Sequence, residues 1–201
     1  MTKPSTFLSK TEILDAAEQT LRRFGPDKTS VTDVAKLLGV SHGTLYRHFP
    51  SKAILREAVT DRWLEDSILV PLTEIVNLIA ESPVEQLKSY ILKLIELKHL
   101  YAEQDPEMFK MYADVTAESA DLIDAHIGRI VEQMSTLIAR GVAANLIHTT
   151  IQTEILARSI FNATARFHHP AHAYQWLSTD IEQEFNGLWY LLEKGLTAPV
   201  K

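Results

Sequence analysis

The stretch TSVTDVAKLLGVSHGTLYRHFPSKAIL, residues 29–55, decides the fold of this chain. Ser30 and Asp33 have the spacing of a capping box, in which each side chain accepts a hydrogen bond from the other residue's backbone N–H. Gly39 is placed to end that short helix, and Ser41 is placed to cap the next one. Two short helices joined by a glycine turn are typical of a helix-turn-helix motif.

The second of these helices is expected to have one buried side and one DNA-facing side. Leu45 and Phe49 lie four residues apart, so both point to the same, inward side. Because the second helix of such a motif enters the major groove of DNA, the residues on its other side are candidate DNA contacts. They are His42, Gly43, Thr44, Tyr46, Arg47 and His48.

The residue types on this side suit a nucleic acid. Thr44, Tyr46 and His48 offer neutral hydrogen-bond donors for phosphate oxygens. Arg47 can pair with a guanine edge or with a phosphate, and Gly43 lets the backbone approach the DNA closely. The pattern therefore predicts a DNA-reading surface on one short helix.

Lys52 extends this surface. Ser51 is expected to cap the following helix, which puts Lys52 in its first turn. The helix macrodipole disfavours a cation there by about 0.3–1 kcal/mol, and a bound phosphate reverses that preference. A solvated lysine without a role is the alternative for this residue alone.

A third helix is predicted upstream, in TEILDAAEQTLRRFG, residues 11–25. Gly25 is placed to end it. The helical spacing puts four apolar residues on one stripe, namely Ile13, Ala17, Leu21 and Phe24.

Residues 10–58 resemble the DNA-binding domain of the TetR/AcrR family of bacterial transcriptional regulators, most densely in residues 39–55. The resemblance implies that Val31–Leu38 is the positioning helix and that residues 41–49 form the recognition helix. Positions that vary their base readout among family members match His42, Gly43 and Arg47. Positions that contact the DNA backbone match Thr29, Thr32, Thr44, Tyr46, His48 and Lys52.

The remainder of the chain is also predicted to be helical. It shows no sustained alternation of period two, so no sheet is expected. Helix-start signals occur in SPVE at 82–85, DPE at 105–107 and TDIE at 179–182. The segment 84–100 is apolar nearly all round, Leu92 included, which is typical of a helix in the middle of a bundle. Its neighbours are expected near residues 122–139, 151–167 and 181–192.

The expected fold is therefore all-α, with about nine helices in two domains. Residues 1–55 are predicted to form a three-helix, helix-turn-helix DNA-binding domain. Residues 56–201 are predicted to form a helical bundle for effector binding and dimerisation. Charge follows the same division, since residues 1–50 contain seven Lys or Arg and five Asp or Glu, while the whole chain has a net charge of −6. An acidic domain beside a mildly basic reading domain reduces non-specific binding to DNA.

Composition excludes several classes of protein. The chain has no cysteine, so it forms neither disulfides nor thiolate metal sites. Its first ten residues, MTKPSTFLSK, lack the apolar core of a signal peptide, and no stretch approaches the roughly 20 apolar residues of a membrane helix. The expectation is a cytoplasmic protein without membrane contact.

Proteins resembling this family are homodimers, and their dimer contacts normally come from the last two long helices. In this chain that implies residues of 151–167 and 181–192. The candidates are Ile151, Ile155, Ala163, Ile181, Phe185, Leu188 and Trp189. Packing within a single chain's core is the alternative for these residues.

The resemblance also implies a small effector that binds the C-terminal domain and lowers DNA affinity. Candidate contacts are polar, aromatic or thioether side chains on otherwise apolar stripes: His99, Tyr101, Met108, Met111, Tyr112 and His126. Each of them can instead be an ordinary core residue. The hypothesis is a mostly apolar or aromatic effector. DNA binding without effector control, and activation rather than repression, remain alternatives.

A metal site or an enzyme is the rival class of function. His168, His169 and His172 lie close in sequence, but Pro170 prevents a helical i,i+4 pair, so surface or capping histidines are favoured over a zinc site. Glu96 and His99 form a Glu-x-x-His pair, but a di-iron site needs a second such pair, which the chain lacks. The expectation is therefore a protein that is not an enzyme and has no metal or cofactor.

Overall fold

The computed structural model describes residues 8–78 and 82–199. Within these ranges the chain forms α-helices, one π-helical segment and one 3-10 helix, without a strand, which confirms the all-α prediction. The expectation about a signal peptide rests on residues 1–10, of which 1–7 lie outside the described residues. No helix in the described ranges is both long enough and apolar enough to cross a membrane.

Eleven α-helices follow one another along the described chain. A π-helical segment, Glu65–Leu69, and a 3-10 helix, Pro170–Gln175, lie between helices. The α-helices are α1 (Lys10–Phe24), α2 (Val31–Leu38), α3 (His42–His48), α4 (Lys52–Leu64), α5 (Val70–Asn77), α6 (Pro83–Gln104), α7 (Pro106–Glu118), α8 (Ala120–Ala143), α9 (Thr153–Ala163), α10 (Ala165–His168) and α11 (Ile181–Thr197).

The described chain has more helices than the nine or so expected, because two helical stretches are interrupted. Between α4 and α5 the helix widens into the π-helical segment just before Pro71. A proline ring clashes with the carbonyl four residues earlier in an α-helix, and a wider turn relieves that clash. The stretch predicted at 151–167 breaks at Thr164, whose hydroxyl bonds to the carbonyl oxygens of Ile160 and Phe161.

The helices form two compact units. The first contains the chain up to Trp63 together with Asp105–Leu122, and the second contains Leu64–Gln104 and the chain from Ile123 onward. These units are defined by packing, whereas the predicted boundary between residues 55 and 56 concerns function. The functional boundary therefore stays a prediction.

The core of the first unit contains most of the predicted apolar stripe of α1. Its members Ile13, Ala17 and Leu21 are buried, and Gly25 ends the helix with a φ of 78°, as predicted. Phe24, on the same stripe, is instead 46% exposed, and the Arg23 guanidinium lies 5.0 Å from its ring centroid. Helical periodicity predicts where a side chain points, but not how far neighbouring helices extend to cover it.

Helix α7 packs in the first unit, with Met108, Met111 and Tyr112 buried. The Tyr112 ring lies 5.8 Å from that of Trp63, and a Cβ added at Gly25 would lie 2.7 Å from the Glu107 carboxylate. Sequence patterns did not assign this helix to the DNA-binding domain.

Ion pairs join α7 and the residue before it to the rest of the first unit. The Arg56 guanidinium lies 3.5 Å from Asp114 and 3.4 Å from Glu118, and Lys110 pairs with Asp27. Asp105 is the N-cap residue of α7 and Pro106 follows it, as predicted, but the Asp105 carboxylate makes no capping bond and instead accepts a 3.0 Å bond from Arg22 Nε. A charge-assisted hydrogen bond to an arginine is stronger than one from a neutral backbone N–H.

The second unit is built around one side of α6. Leu87, Tyr90, Ile91 and Leu94 are buried, and the Tyr90 hydroxyl donates a 2.8 Å hydrogen bond to Gln133 of α8. Leu92 is 42% exposed, so the prediction of a helix covered on all sides was wrong for that face. An apolar side chain can lie at a surface without penalty, since much of any protein surface is apolar.

The capping predictions for the second unit had mixed outcomes. Ser82 accepts a 3.3 Å hydrogen bond from the N–H of Glu85 at the start of α6, as predicted. Thr179 was wrongly expected to open a capping box, because α11 begins after Asp180 without a side-chain cap. Asp180 has helix-like backbone angles, φ −97° and ψ −3°, so the turn before α11 leaves Thr179 outside the capping position.

Two glycines of α8 provide a matched test of packing. A Cβ at Gly141 would lie 2.4 Å from Ile147 Cδ1 and 2.7 Å from its Cγ1, whereas a Cβ at Gly128 would meet nothing within 4 Å. We expect Gly141→Ala to reduce the free energy of unfolding by about 1–3 kcal/mol through this clash. Gly128→Ala should leave it unchanged or raise it by up to about 1 kcal/mol through helix propensity. Urea unfolding followed by circular dichroism measures both, and equal effects would contradict the packing described.

Candidate nucleic-acid interface and effector site

Local hydrogen bonds define the turn between α2 and α3. The Asp33 N–H donates to Ser30 Oγ at 3.3 Å and the Ser30 N–H donates to Asp33 Oδ2 at 3.0 Å, which confirms the capping box. Gly39 takes the left-handed conformation, φ 66° and ψ 30°, and the Val40 N–H donates to the Ala35 carbonyl at 3.0 Å. This geometry closes the end of α2 and turns the chain into α3.

A chain of three polar side chains runs along the exposed side of α3. Ser41 Oγ accepts a 3.3 Å hydrogen bond from the Thr44 N–H and lies 3.0 Å from the Thr44 hydroxyl. The Arg47 guanidinium donates to that same hydroxyl at 3.3 Å. Because Leu45 and Phe49 are buried, as predicted, the opposite side of α3 faces away from the core.

Six of the nine candidate DNA contacts lie on α3, and a seventh, Lys52, begins α4. His42, Gly43, Tyr46 and Arg47 are exposed, and Thr44 and His48 are half-buried. Exposed Lys52 is the first residue of α4, whose start is capped by Ser51 through a 3.1 Å hydrogen bond from the Ile54 N–H. We call these seven residues the reading surface: His42, Gly43, Thr44, Tyr46, Arg47, His48 and Lys52.

The two remaining candidates, Thr29 and Thr32, lie before α2 and in its first turn. Thr32, in the first turn of α2, is half-buried. Thr29 is buried, and its hydroxyl donates to the carbonyl oxygens of Gly25 at 2.8 Å and Thr20 at 3.3 Å. The Thr29 hydroxyl therefore joins α1 to the start of α2.

Comparison with known proteins agrees with this geometry. A family model described as "Bacterial regulatory proteins, tetR family" matches residues 13–59. A second, described as "Tetracyclin repressor-like, C-terminal domain", matches residues 83–189, more than half of the chain. The chain belongs to the TetR family. Members of this family are transcriptional regulators with a DNA-binding helix-turn-helix.

Several curated proteins are similar to this TetR-family chain in part of its length. The nucleoid occlusion factor SlmA of a Marinomonas species is 30% identical over 132 residues, which is 63% of this chain and 62% of that protein. The HTH-type transcriptional regulator TtgR of Pseudomonas putida is 37% identical over 60 residues, 30% of this chain and 29% of that protein. The chain thus spans less than two thirds of the length of either relative.

Solved structures extend the likeness to nearly the whole chain. SmeT, the repressor of the Stenotrophomonas maltophilia multidrug efflux pump SmeDEF, has a TM-score of 0.64 at 18% identity and covers 94% of this chain and 90% of that one. The transcriptional regulator FadR from Bacillus subtilis, in complex with stearoyl-CoA, has a TM-score of 0.61 at 18% identity, covering 94% and 100%. At these identities the likeness concerns the fold alone.

The structure divides the candidate effector contacts between the two units. Met108, Met111 and Tyr112 are buried in the first unit. His99, Tyr101 and His126 belong to the second unit. Of these, His99 is half-buried, with its Nε2 2.9 Å from the Phe167 carbonyl oxygen and its ring stacked on Trp176 at 4.4 Å.

The second unit contains a cluster of buried basic side chains, which we call the basic cluster: Lys98 of α6, His126 of α8 and His168 of α10. Burial lowers the pKa of Lys98 to about 7. Burial, with the neighbouring Lys98 ammonium as a further cause, lowers the pKa of His126 to about 2 and that of His168 to about 3. Both imidazoles are therefore neutral in the folded protein at neutral pH.

The sequence patterns indicate His126 as a functional candidate but not Lys98. The helical spacing does indicate that Lys98 is buried. Leu87, Ile91 and Leu94 form a buried stripe of α6, and Lys98 is the next position on that stripe. A lysine that continues an apolar stripe is buried together with its stem. His168, considered only as a capping or metal-binding residue, is buried with its Nε2 3.2 Å from Thr164 Oγ1 and 3.3 Å from the Phe161 carbonyl oxygen.

The other histidines of the 168–172 group have local roles. His169 Nδ1 accepts a 3.2 Å hydrogen bond from the Ala171 N–H and so caps the 3-10 helix, as favoured from the sequence. The rings of His169 and His172 are 6.1 Å apart. Within the described ranges, no group of three His, Asp or Glu side chains is arranged to hold a metal ion.

The candidate dimer residues fall into two groups. Ile151 and Ile155 are 51% and 54% exposed, Ala163 is exposed, and Ile181 and Leu188 are half-buried. Phe185 and Trp189 are instead buried within the chain, where Phe185 packs edge-on against Phe167 at 5.4 Å. Two exposed neighbours in α11, Tyr190 and Leu191, were not among the candidates.

The buried imidazoles predict a loss of stability in acid. Below pH 6.5 the unfolded chain takes up protons on His126 and His168, whereas the folded chain does not until their lowered pKa values are reached. The two residues together should therefore reduce the free energy of unfolding by roughly 2 kcal/mol between pH 7 and 5.5. Urea unfolding at several pH values measures this slope.

Two variants isolate the histidine contribution to that slope. His126→Leu removes one imidazole, so it should make the slope between pH 7 and 5.5 shallower by about half of the two-histidine effect. Gly128→Ala keeps every histidine and should reproduce the wild-type slope. An unchanged slope in His126→Leu would mean that this imidazole is protonated in the folded chain as well.

Proposed function

We propose that this TetR-family chain is a dimeric, ligand-responsive regulator that represses transcription by occupying a palindromic operator. The observation that carries the proposal is the reading surface of α3, where exposed residues face away from a packed core. Direct sequence readout needs side chains that reach base edges from a fixed position. The hydrogen bond from Arg47 to Thr44 supports such a position.

Contacts to phosphates supply the remaining affinity. Lys52 lies in the first turn of α4, where the helix N-terminus and the ammonium group together favour an anion. The hydroxyls of Thr44 and Tyr46 and the ring of His48 provide hydrogen-bond donors on the same surface. Base readout and backbone contact are thus assigned to different residues, which makes them separable by mutation.

Dimerisation is supported by exposed apolar side chains on α9 and α11. Ile155 and Leu191 are 54% and 67% exposed, and Tyr190 is 59% exposed. Ile151 and Leu191 also line an open groove together with the α11 residue Gly195. Apolar side chains concentrated on two helices indicate a protein interface, and a second copy of the same face closes a two-fold dimer.

Dimer geometry connects the two proposed activities. Two recognition helices about 34–36 Å apart fit successive major grooves of a palindromic site. An effector that favours a different spacing lowers DNA affinity, and operator DNA weakens effector binding by the same factor. Repression follows when the bound dimer occludes a promoter.

A nucleoid occlusion factor is a second candidate function. It is favoured by the 30% identity to SlmA of a Marinomonas species over 132 residues. That alignment extends beyond the length of the DNA-binding family match, which covers residues 13–59. Mapping the bound sites on the chromosome separates the two functions. Sites concentrated at a few promoters support the regulator, and sites without relation to promoters support the second candidate.

Base readout is tested by Arg47→Ala. If Arg47 pairs with a base, this variant should lose roughly 5- to 150-fold in affinity for a site selected from random DNA, equal to about 1–3 kcal/mol, and should relax specificity at one position. Fluorescence anisotropy with competitor DNA measures both quantities. If the variant kept the affinity and specificity of the wild type, Arg47 would not be a DNA contact.

Phosphate contact is tested by Lys52→Ala. This variant should weaken binding to all sequences alike and lower the salt dependence of log affinity by about one unit. The matched control is Lys88→Ala, which replaces a lysine of α6 in the second unit and should bind DNA as the wild type does. A sequence-dependent loss in Lys52→Ala would assign that lysine to base readout instead.

Dimerisation is tested by placing a charge in the exposed apolar face. Ile155→Asp should shift the protein from dimer to monomer in sedimentation velocity, because a buried unpaired carboxylate destabilises an interface. Leu92→Asp changes an apolar residue of comparable exposure on α6 and should remain dimeric. A monomeric wild type, or a dimeric Ile155→Asp, would contradict the interface on α9 and α11.

A further inference from the structure

The basic cluster lies in an apolar interior. Lys98, His126 and His168 are each 2% exposed, and Leu94 of α6 and Ile130 of α8 are buried on the same helices. Within residues 8–78 and 82–199, no Asp or Glu side chain is buried to a similar degree. The buried titratable groups described for the second unit thus include bases and no carboxylate.

Members of the cluster lie close enough to influence one another. Lys98 and His126 lie on neighbouring helices, since the Tyr90 hydroxyl of α6 donates a 2.8 Å hydrogen bond to Gln133 of α8. The Lys98 ammonium is also a further cause, after burial, of the lowered pKa of both imidazoles. Helix α10, which carries His168, packs against α6, which carries Lys98. Three elements distant in sequence therefore converge at this point.

His126 is the member whose bonding is incomplete. Both of its ring nitrogens are shielded from solvent and have no hydrogen-bond partner among the described residues. Leaving a buried polar group unsatisfied destabilises a protein by about 1–3 kcal/mol. His168, by comparison, has Thr164 and Phe161 as partners. A group beside His126 that accepts a hydrogen bond would satisfy the ring nitrogen that carries the proton.

A carboxylate matches this environment better than a neutral polar group does. An ammonium group is a donor without acceptor capacity, and a neutral imidazole donates through one nitrogen, so the cluster is rich in donors. A carboxylate accepts from several donors and brings the charge that stabilises buried cations at low dielectric. The surrounding Leu94, Ile130 and Phe161 suit an apolar body attached to it.

We propose that the effector of this protein is an organic acid, whose carboxylate binds at Lys98 and His126 and whose apolar part packs among the buried side chains around them. This inference rests on the proposed function, because it names the chemical class of ligand for the effector-binding unit. The ring nitrogens of His126 are inaccessible to water, so a ligand reaches them only when the surrounding helices separate. Binding is therefore linked to a conformational change.

The test compares acids with neutral molecules of the same shape. Full-length protein is titrated at pH 7.5 with decanoate or decan-1-ol, and with 3-phenylpropanoate or 3-phenylpropanamide. Melting temperature reports binding, and anisotropy on the selected operator reports the effect on DNA. We expect at least one acid to raise the melting temperature and weaken DNA binding at a tenfold lower concentration than its neutral partner.

Variants assign the preference to the basic cluster. Lys98→Met and His126→Leu should each reduce the preference for acid over neutral partner, measured as the ratio of their effective concentrations, at least fivefold. Lys88→Met, the same change elsewhere on α6, should preserve this preference. NMR of labelled histidine in wild-type protein is independent of variant folding. The bound acid should raise the pKa of the His126 ring, because a neighbouring negative charge favours the imidazolium form.

The outcomes separate this inference from the proposed function. Equal potency of acid and neutral partners, or an acid preference that survives in Lys98→Met and His126→Leu, would overturn the organic-acid site and leave ligand-responsive regulation standing. Absence of binding by all four compounds would also overturn it, while sequence-specific DNA binding lost in Arg47→Ala would still support the regulator. Absence of sequence-specific DNA binding would overturn the proposal of a regulator. The changes in melting temperature would still show whether the protein binds acids in preference to neutral molecules.

Discussion

Burial of Leu45 and Phe49 is the constraint on which the reading surface depends. Helix α3 has only seven residues, and an isolated helix of that length is not stable in water. Its orientation therefore comes from the two apolar anchors, which leave the side carrying Arg47 exposed. The cap at Ser41 completes the arrangement by satisfying the N–H of Thr44, so a short helix acquires both a defined start and a defined outward side.

In the second unit the side chains of interest are buried, whereas those of α3 are exposed. Burying Lys98 and His126 opposes folding, since both side chains lose hydration and the ring of His126 gains no hydrogen bond from the described residues. A purely structural core would be more stable with apolar residues at these positions. The rest of the core, including Leu87 and Leu94, must offset the cost of burying these bases.

Predictions were most accurate where neighbours in sequence decide the structure. The caps at Ser30, Ser41 and Ser51 were found because a hydroxyl meets an N–H three residues away regardless of the rest of the fold. Asp105 stands at the N-cap of α7, but its side chain makes no capping bond, because an arginine 83 residues away in sequence offers a stronger, charged partner. Such competition between local and distant partners is invisible in a sequence window.

The sequence by itself determined the all-α class and the helix-turn-helix, because these depend on spacings of three and four residues within single helices. Only the tertiary structure decided that α7 belongs to the first unit and that Phe24 is exposed. It also decided that Lys98, His126 and His168 meet in one interior. These outcomes depend on which helices pack together, and packing joins residues whose separation along the chain carries no local signal.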